Sequence, residues 1–312
     1  MKNEQIKHIP VLLEETLIYL SPKKGESYLD LTAGYGGHAG AVLKRTLSPE
    51  KAVLVDRDQT AVEYLKQIFK PSSVQIIHSD FLTISKELHS SGEKFDMVLA
   101  DLGVSSLHLD SPERGFSFRV DGPLDMRMDQ QQQLTADIIV NSFSETTLAK
   151  IIADYGEEPK AYKIARNIVR NRPIHTTQHL ATIVAKVFTG RQKIHPATQT
   201  FQALRIAVNQ ELDQIKDSLP LWIDLLAPGG RIVIISFHSL EDRLVKQVFQ
   251  ERSGQKYDAE LELLTKHPIT CDKNSLVINP RARSAKLRAA VKIKNRKGSY
   301  RAYTGKKQLP NL

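Results

Sequence analysis

Residues 27–40 read SYLDLTAGYGGHAG, and VDRD follows at 55–58. No other stretch limits the possible folds as strongly. Tyr28, Leu29 and Leu31 predict a short buried strand. Gly34, Gly36 and Gly37 predict a loop without the side chains that would hold a ligand off the backbone. A helix opening near His38 turns free N–H groups and a positive dipole end towards that loop. A second apolar run, Ala52–Val55, ends in Asp56. An acid at that point can accept hydrogen bonds from both hydroxyls of a ribose. The pattern therefore predicts a βαβ unit that binds an adenosine-containing cofactor.

The glycine spacing leaves the cofactor open. Gly34-x-Gly36-x-x-Ala39 also fits the dinucleotide fingerprint. A βα turn that binds nothing is a further alternative. Asp30 tips the reading towards a cationic, amino-acid-tailed molecule such as S-adenosylmethionine, because a carboxylate there repels a pyrophosphate.

At 312 residues, 41% of them hydrophobic, the chain is long enough for one large domain or two. Cys271 is the only cysteine, which excludes a disulfide framework and a cysteine-cluster zinc site. No apolar run approaches the ~18 residues of a membrane span, and MKNEQIKHIPVLLEE lacks a signal-peptide core, so the expected location is cytoplasmic. The net charge of +9 is concentrated in residues 281–312, which carry 11 Lys/Arg and no acid. Arg281, Arg283, Lys286, Arg288, Lys292, Lys294, Arg296, Lys297 and Arg301 predict a phosphate-binding stripe, with Tyr300 and Tyr303 available to stack on bases. A solvated tail fits the composition equally well. The VKIK alternation in 284–295 also allows an edge strand.

Short apolar runs at 28–31, 52–55, 74–77 and 97–100 alternate with amphipathic stretches of helical length, as at 59–69. This is a βαβ series with a parallel sheet. The next strand, Arg231–Ser236, follows roughly 130 residues later, far more than one crossover needs. An inserted domain fills the gap. Helix-type spacing recurs in it at Ala136–Phe143, Glu145–Tyr155, Ala161–Asn171 and Gln178–Phe188. Ala197–Leu219 then reads as one long helix, with Gln202, Arg205 and Asn209 on a face that is either solvated or turned to substrate.

Ligands of doubly wound sheets lie beyond the carboxyl ends of the strands. Asp101 ends the fourth strand there. A carboxylate at that point can accept N–H bonds from an aromatic amine and favour positive charge on it during transfer. Ser239 with Asp242 fits a capping box, and His238 could face the pocket. His175 and His179 have metal-ligand spacing but no companion acid motif, so no metal is expected. No GxSxG motif is present.

The segments DLGVSS (101–106), RGFSF (114–118), DGPLDMRMD (121–129), YGEE (155–158), HPATQTFQALRI (195–206), LAPGGR (226–231), SFHSLEDR (236–243) and NPRARSAKLR (279–288) closely resemble the MraW (RsmH) family. The resemblance runs from HIPVLLEE (8–15) to the basic tail. It implies an S-adenosylmethionine-dependent methyltransferase acting on N4 of a cytosine in the decoding region of 16S ribosomal RNA, with that RNA met in the small ribosomal subunit or its precursor. Carried over, Gly36, Gly37 and His38 form the cofactor loop, Asp56 takes the ribose, Phe81 flanks the adenine and Asp101 approaches the methionine end. Leu107 and His108 stand where the family usually has Pro-Gln, which puts His108 at the cofactor position. The expected architecture is α/β: a Rossmann-like class I methyltransferase core made of 1–109 and 196–312, with a helical domain of 110–195 inserted for substrate recognition. Two other functions compete with this reading. One is an RNA-binding assembly factor without activity, opposed by Asp101 beside a complete loop. The other is a nucleotide-dependent oxidoreductase, opposed by Asp30.

Overall fold

The computed structural model of the chain describes residues 10–70, 72–254, 259–272, 276–277 and 279–293. Among the described residues seven strands form one sheet: β1 (Tyr28–Asp30), β2 (Ala52–Asp56), β3 (Gln75–His78), β4 (Phe95–Asp101), β5 (Leu226–Ser236), β6 (Leu261–Leu263) and β7 (Lys286–Lys292). Their order is β3-β2-β1-β4-β5-β7-β6. The first five are mutually parallel; β7 runs antiparallel between β5 and β6. Register puts Leu29 between Val53 and Val98, and Asp101 beside Ile235.

The central strands are buried on both faces, which explains their continuous apolar runs. Alternate residues point to opposite sides. Tyr28, Leu54, Met97 and Leu99 pack with helices α1 (Leu13–Leu20), α2 (Gly37–Thr46) and α3 (Gln59–Ile68). Leu29, Val53 and Val98 pack on the other face with α4 (Phe81–Ser90), α11 (Glu211–Asp224) and α12 (Ser239–Glu251).

Between β4 and β5 the chain forms α5 (Ser106–Asp110), α6 (Ala136–Ser142), α7 (Glu145–Gly156), α8 (Ala161–Arg170), α9 (Thr177–Ala185) and α10 (Ala197–Asn209). The last five surround a third apolar cluster, which extends from Phe116 to Val208 and so takes in one face of α10. Two backbones cross closely here: a Cβ on Gly122 would lie 1.9 Å from the Pro112 oxygen, so only glycine fits.

Three expectations need correction. Residues 197–219 are not one helix. The chain breaks at Gln210 (φ +52°), and α11 then runs through Pro220 to Asp224. The break belongs to Asn209, whose buried carboxamide accepts from Met128 N–H (2.8 Å) and donates to the Met126 oxygen (2.8 Å), a tertiary anchor with no local signal. The strand near the C-terminus is interior, not an edge. That placement removes two cations from the proposed basic stripe. Arg288 is buried against Asp242 (2.6 Å), and Lys292 is 2% exposed and donates to the Ile223 oxygen (2.7 Å). Lys294, Arg296, Lys297, Tyr300, Arg301 and Tyr303 lie outside the described residues. No helix among the described residues is long and apolar enough to cross a membrane.

Candidate active site

The loops after β1, β2, β4 and β5 open onto one cavity of about 750 Å³. Phe116, Phe118 and α10 close it from the inserted segment, and Arg281 and Arg283 come from the turn before β7. Gly37, His38, Asp56, Phe81, Asp101 and His108 all line it.

Gly36 and Asp30, both expected at the ligand, do not. Gly36 serves the fold: its φ is +77°, and a Cβ there would meet Leu65, Ile68 and Phe69 at 3.0 Å, so it allows α3 to pack against the loop. Asp30 is 1% exposed beneath the loop. It accepts from the Tyr28 hydroxyl (2.7 Å) and from Thr32 N–H (3.2 Å). Its role as a direct selector of a cationic cofactor is therefore corrected to one of supporting the loop. Burial pushes its carboxyl up to about 6, against the pull of the Tyr28 hydrogen bond and the His38 charge. A raised carboxyl pKa favours the fold while the group is protonated, and that contribution is lost as pH rises from about 4 through about 6. Asp30→Asn is thus expected to raise stability above pH 6 by up to about 3 kcal/mol, and to give no gain near pH 4. Thermal melts of both proteins across that range check it; a gain of equal size at both ends rules it out.

Asp56 holds the loop with both oxygens, accepting from Gly34 N–H (2.7 Å) and Asp58 N–H (2.8 Å). Burial, the larger effect, raises its pKa against those two bonds. Each carboxylate oxygen keeps a second lone pair, so two acceptor sites remain side by side, the arrangement a vicinal diol requires. Phe81 lies edge-on to Trp222 (5.4 Å) and offers an apolar wall. His108 does not reach across the cavity. Its Nε2 lies 2.6 Å from Asp58, its ring stacks on Phe116 (5.1 Å), and its buried Nδ1 has no protein partner. Burial opposes ionisation of Asp58, but the His108 bond, the Thr60 N–H and Arg114 hold its carboxyl down at about 2.

Asp101 ends β4 and lines the cavity. Its backbone N–H donates to Thr32 Oγ1 (2.6 Å), which fixes the β4 end against the glycine loop. Its Oδ2 lies 3.6 Å from His38 Nε2, too far for a hydrogen bond, and its buried Oδ1 has no partner. Both His38 ring nitrogens are likewise unpartnered. Buried polar atoms left this way are costly, so the site is built for a polar occupant.

The other half of the cavity was only partly foreseen. Gln202 and Arg205 line it, whereas Asn209 is the anchor described above. Arg205 makes a bidentate pair with Glu211 (2.8 and 2.7 Å). The cap of α12 is His238 with Glu241, not Ser239 with Asp242. Glu241 Oε2 accepts from Phe237 N–H (2.7 Å) and His238 N–H (3.3 Å). Asp242 instead pairs with Arg288, and Ser239 with Glu157. The S/T-x-x-E/Q rule misses a histidine cap, although Glu241 three residues on from His238 was the visible half of the signal. His175 approaches Asp137 at 3.6 Å on the surface; neither it nor His179 belongs to a metal-ligating cluster among the described residues.

The strand order with a reversed β7, the glycine loop after β1 and the acid ending β2 define a Rossmann-like S-adenosylmethionine-dependent methyltransferase. The donor set fits that cofactor: paired acceptors on Asp56, an apolar wall at Phe81 and an unspent negative charge on Asp101. Within that class the chain belongs to the MraW methylase family, whose profile matches residues 5–293. The Ribosomal RNA small subunit methyltransferase H of Koribacter versatilis is 43% identical over 303 residues, covering 93% of this chain and 95% of that protein. The protein of the same name from a Cyanothece strain is 47% identical over 290 residues, covering 92% and 95%. Among solved structures, an rRNA methylase from Streptococcus thermophilus aligns loosely, with a TM-score of 0.43 and 10% identity over 92% of this chain and 99% of that one.

Proposed function

We propose that this enzyme methylates N4 of a cytosine in the decoding region of 16S ribosomal RNA. The Asp101 carboxylate, which lines the cavity with a buried Oδ1 that has no hydrogen-bond partner, carries the reading. The relatives' name, Ribosomal RNA small subunit methyltransferase H, supports the RNA class. When bound, S-adenosylmethionine supplies an electrophilic methyl group on a sulfonium.

The protein's part is positioning and electrostatics. Asp56 accepts the ribose hydroxyls, Gly37 and His38 line the cofactor's path at the start of α2, and Phe81 flanks the adenine. His108 meets the cofactor through Nδ1 while Asp58 holds its other nitrogen. Asp101 accepts an N–H of the target amine. An exocyclic base amine is a poor nucleophile because its lone pair is drawn into the ring; the Asp101 carboxylate would align it and offset the positive charge that builds on the nitrogen as it takes the methyl group. The base must leave its stack to enter. Residues 110–195 form the domain that recognises the RNA, within the small ribosomal subunit or its precursor, in the cytoplasm. Mass spectrometry of the decoding-region fragment from cells with and without the gene tests the assignment: a 14 Da difference on one cytosine amine is expected, and identical fragments refute it.

A further inference from the structure

Asp101 accounts for one hydrogen of an amine, but not for the buried charge beside it. His238 lies three residues beyond Ile235, the register partner of Asp101, so the start of α12 adjoins Asp101 at the neighbouring strand end. Glu241 there is fully buried, yet lines the cavity. Its Oε2 is spent on two backbone N–H groups; its Oε1 has no hydrogen-bond partner. His238 Nε2 stands 3.1 Å away, an ion-pair contact when the imidazole is protonated but not a counted hydrogen bond. Burial opposes ionisation of Glu241, but His238, Arg205 and the Phe237 N–H outweigh it and hold the carboxyl below its ordinary range. The wall therefore holds a buried carboxylate oxygen whose nearest charged neighbour is His238 and which makes no hydrogen bond. Arg205 lines the same wall and directs Nε and Nη2 at Glu211. A guanidinium carries five N–H donors, so others, including those on Nη1, remain for a ligand.

An acceptor beside a donor matches an amine hydrogen next to a ring-nitrogen lone pair, the edge of cytosine among the pyrimidines. Cytosine presents an amine hydrogen next to the N3 lone pair; uracil presents a carbonyl oxygen next to an N–H, the reverse. We propose that Glu241 and Arg205 select the target base: Glu241 Oε1 accepts the amine hydrogen nearer N3, Arg205 donates to the ring acceptors, and Asp101 takes the remaining amine hydrogen. The inference rests on the proposed cytosine target and adds the groups that distinguish it. Arg205 is already the cation of this cluster, which argues against a metal ion among Glu211, His238 and Glu241, although their ligand atoms lie within 4.8 Å of one another.

Glu241→Gln gives a directional test. The Phe237 and His238 N–H groups anchor the amide oxygen, so the NH₂ faces the cavity and an acceptor becomes a donor. The probes are a decoding-region RNA oligonucleotide and the same RNA with uridine at the target position, competed on protein loaded with S-adenosylhomocysteine. The wild type is expected to prefer the cytidine RNA by about tenfold, the scale of one well-placed base contact. The variant is expected to lose or invert that preference while melting like the wild type. An unchanged preference overturns the proposal. If Glu241→Gln fails to fold, Arg205→Lys keeps the charge opposite Glu211 but loses the planar fork; it should reduce the preference at least threefold, and an unchanged ratio again overturns it. Methyl transfer to the cytidine RNA by the wild type is measured alongside. Transfer with an unaltered preference refutes the selection mechanism alone, whereas no transfer refutes the cytosine reading and this inference with it.

Discussion

Asp101→Ala is expected to slow single-turnover methyl transfer by on the order of 100- to 1000-fold, the usual cost of deleting one pre-aimed electrostatic contact. The substitution removes the unpartnered Oδ1 and with it the negative charge facing the developing cation. The fold should survive. The β4 end is held by the Asp101 backbone N–H on Thr32 (2.6 Å) and by Leu102 N–H on the Ile235 oxygen (2.9 Å), neither of which involves the side chain. Asp101→Asn should retain more activity, since its carbonyl still accepts one amine hydrogen although the charge is gone. Single-turnover rates at saturating cofactor and RNA separate chemistry from binding. Wild-type rates in both variants would reduce Asp101 to a strand terminator. A large loss confined to KM would make it a binding residue only.

The sheet and the cavity edge formed by the β1, β2 and β4 ends are legible because their signals are local. A parallel strand buried on both faces is an unbroken apolar run, and the loops at the carboxyl ends follow directly. Asp56 and Asp101 follow from strand ends and Gly37 from the glycine loop, whereas His38 and Phe81 follow only from the family resemblance; all five line one cavity. Gly36 is required by the packing of α3, and Asp30 works from beneath the loop, because sequence distance does not tell a lining residue from one a layer deeper. The half that faces the acceptor was less legible. Asn209 breaks a long helix through bonds to Met126 and Met128, more than 80 residues away in the chain. Arg288 and Lys292 read as part of a phosphate-binding stripe or a solvated tail, yet their strand is inserted between β5 and β6, where Asp242 and the Ile223 carbonyl receive them. Charge predicts exposure only until a partner is folded against it.

Asp56→Ala is expected to lower affinity for S-adenosylhomocysteine by at least about a hundredfold, because it acts twice. Directly, it removes two acceptors for the ribose hydroxyls, each charge-assisted bond being worth about 1.5–3 kcal/mol at most, with every 1.4 kcal/mol a factor of ten. Indirectly, it frees Gly34 N–H and Asp58 N–H, which the same carboxylate holds at 2.7 and 2.8 Å, so the loop after β1 loses its tie to the end of β2. The second effect should also cost stability, since the carboxylate is buried and both donors need a partner. The two effects separate in one comparison. Calorimetry with S-adenosylhomocysteine reads both, whereas calorimetry with methionine, which has no ribose, reads only damage that spreads through the loop towards the Asp101 end. A direct role predicts a large loss for the first ligand and a small one for the second. Equal losses for both would mean that Asp56 acts only by shaping the loop, and unchanged affinity for S-adenosylhomocysteine would remove it from the cofactor site altogether.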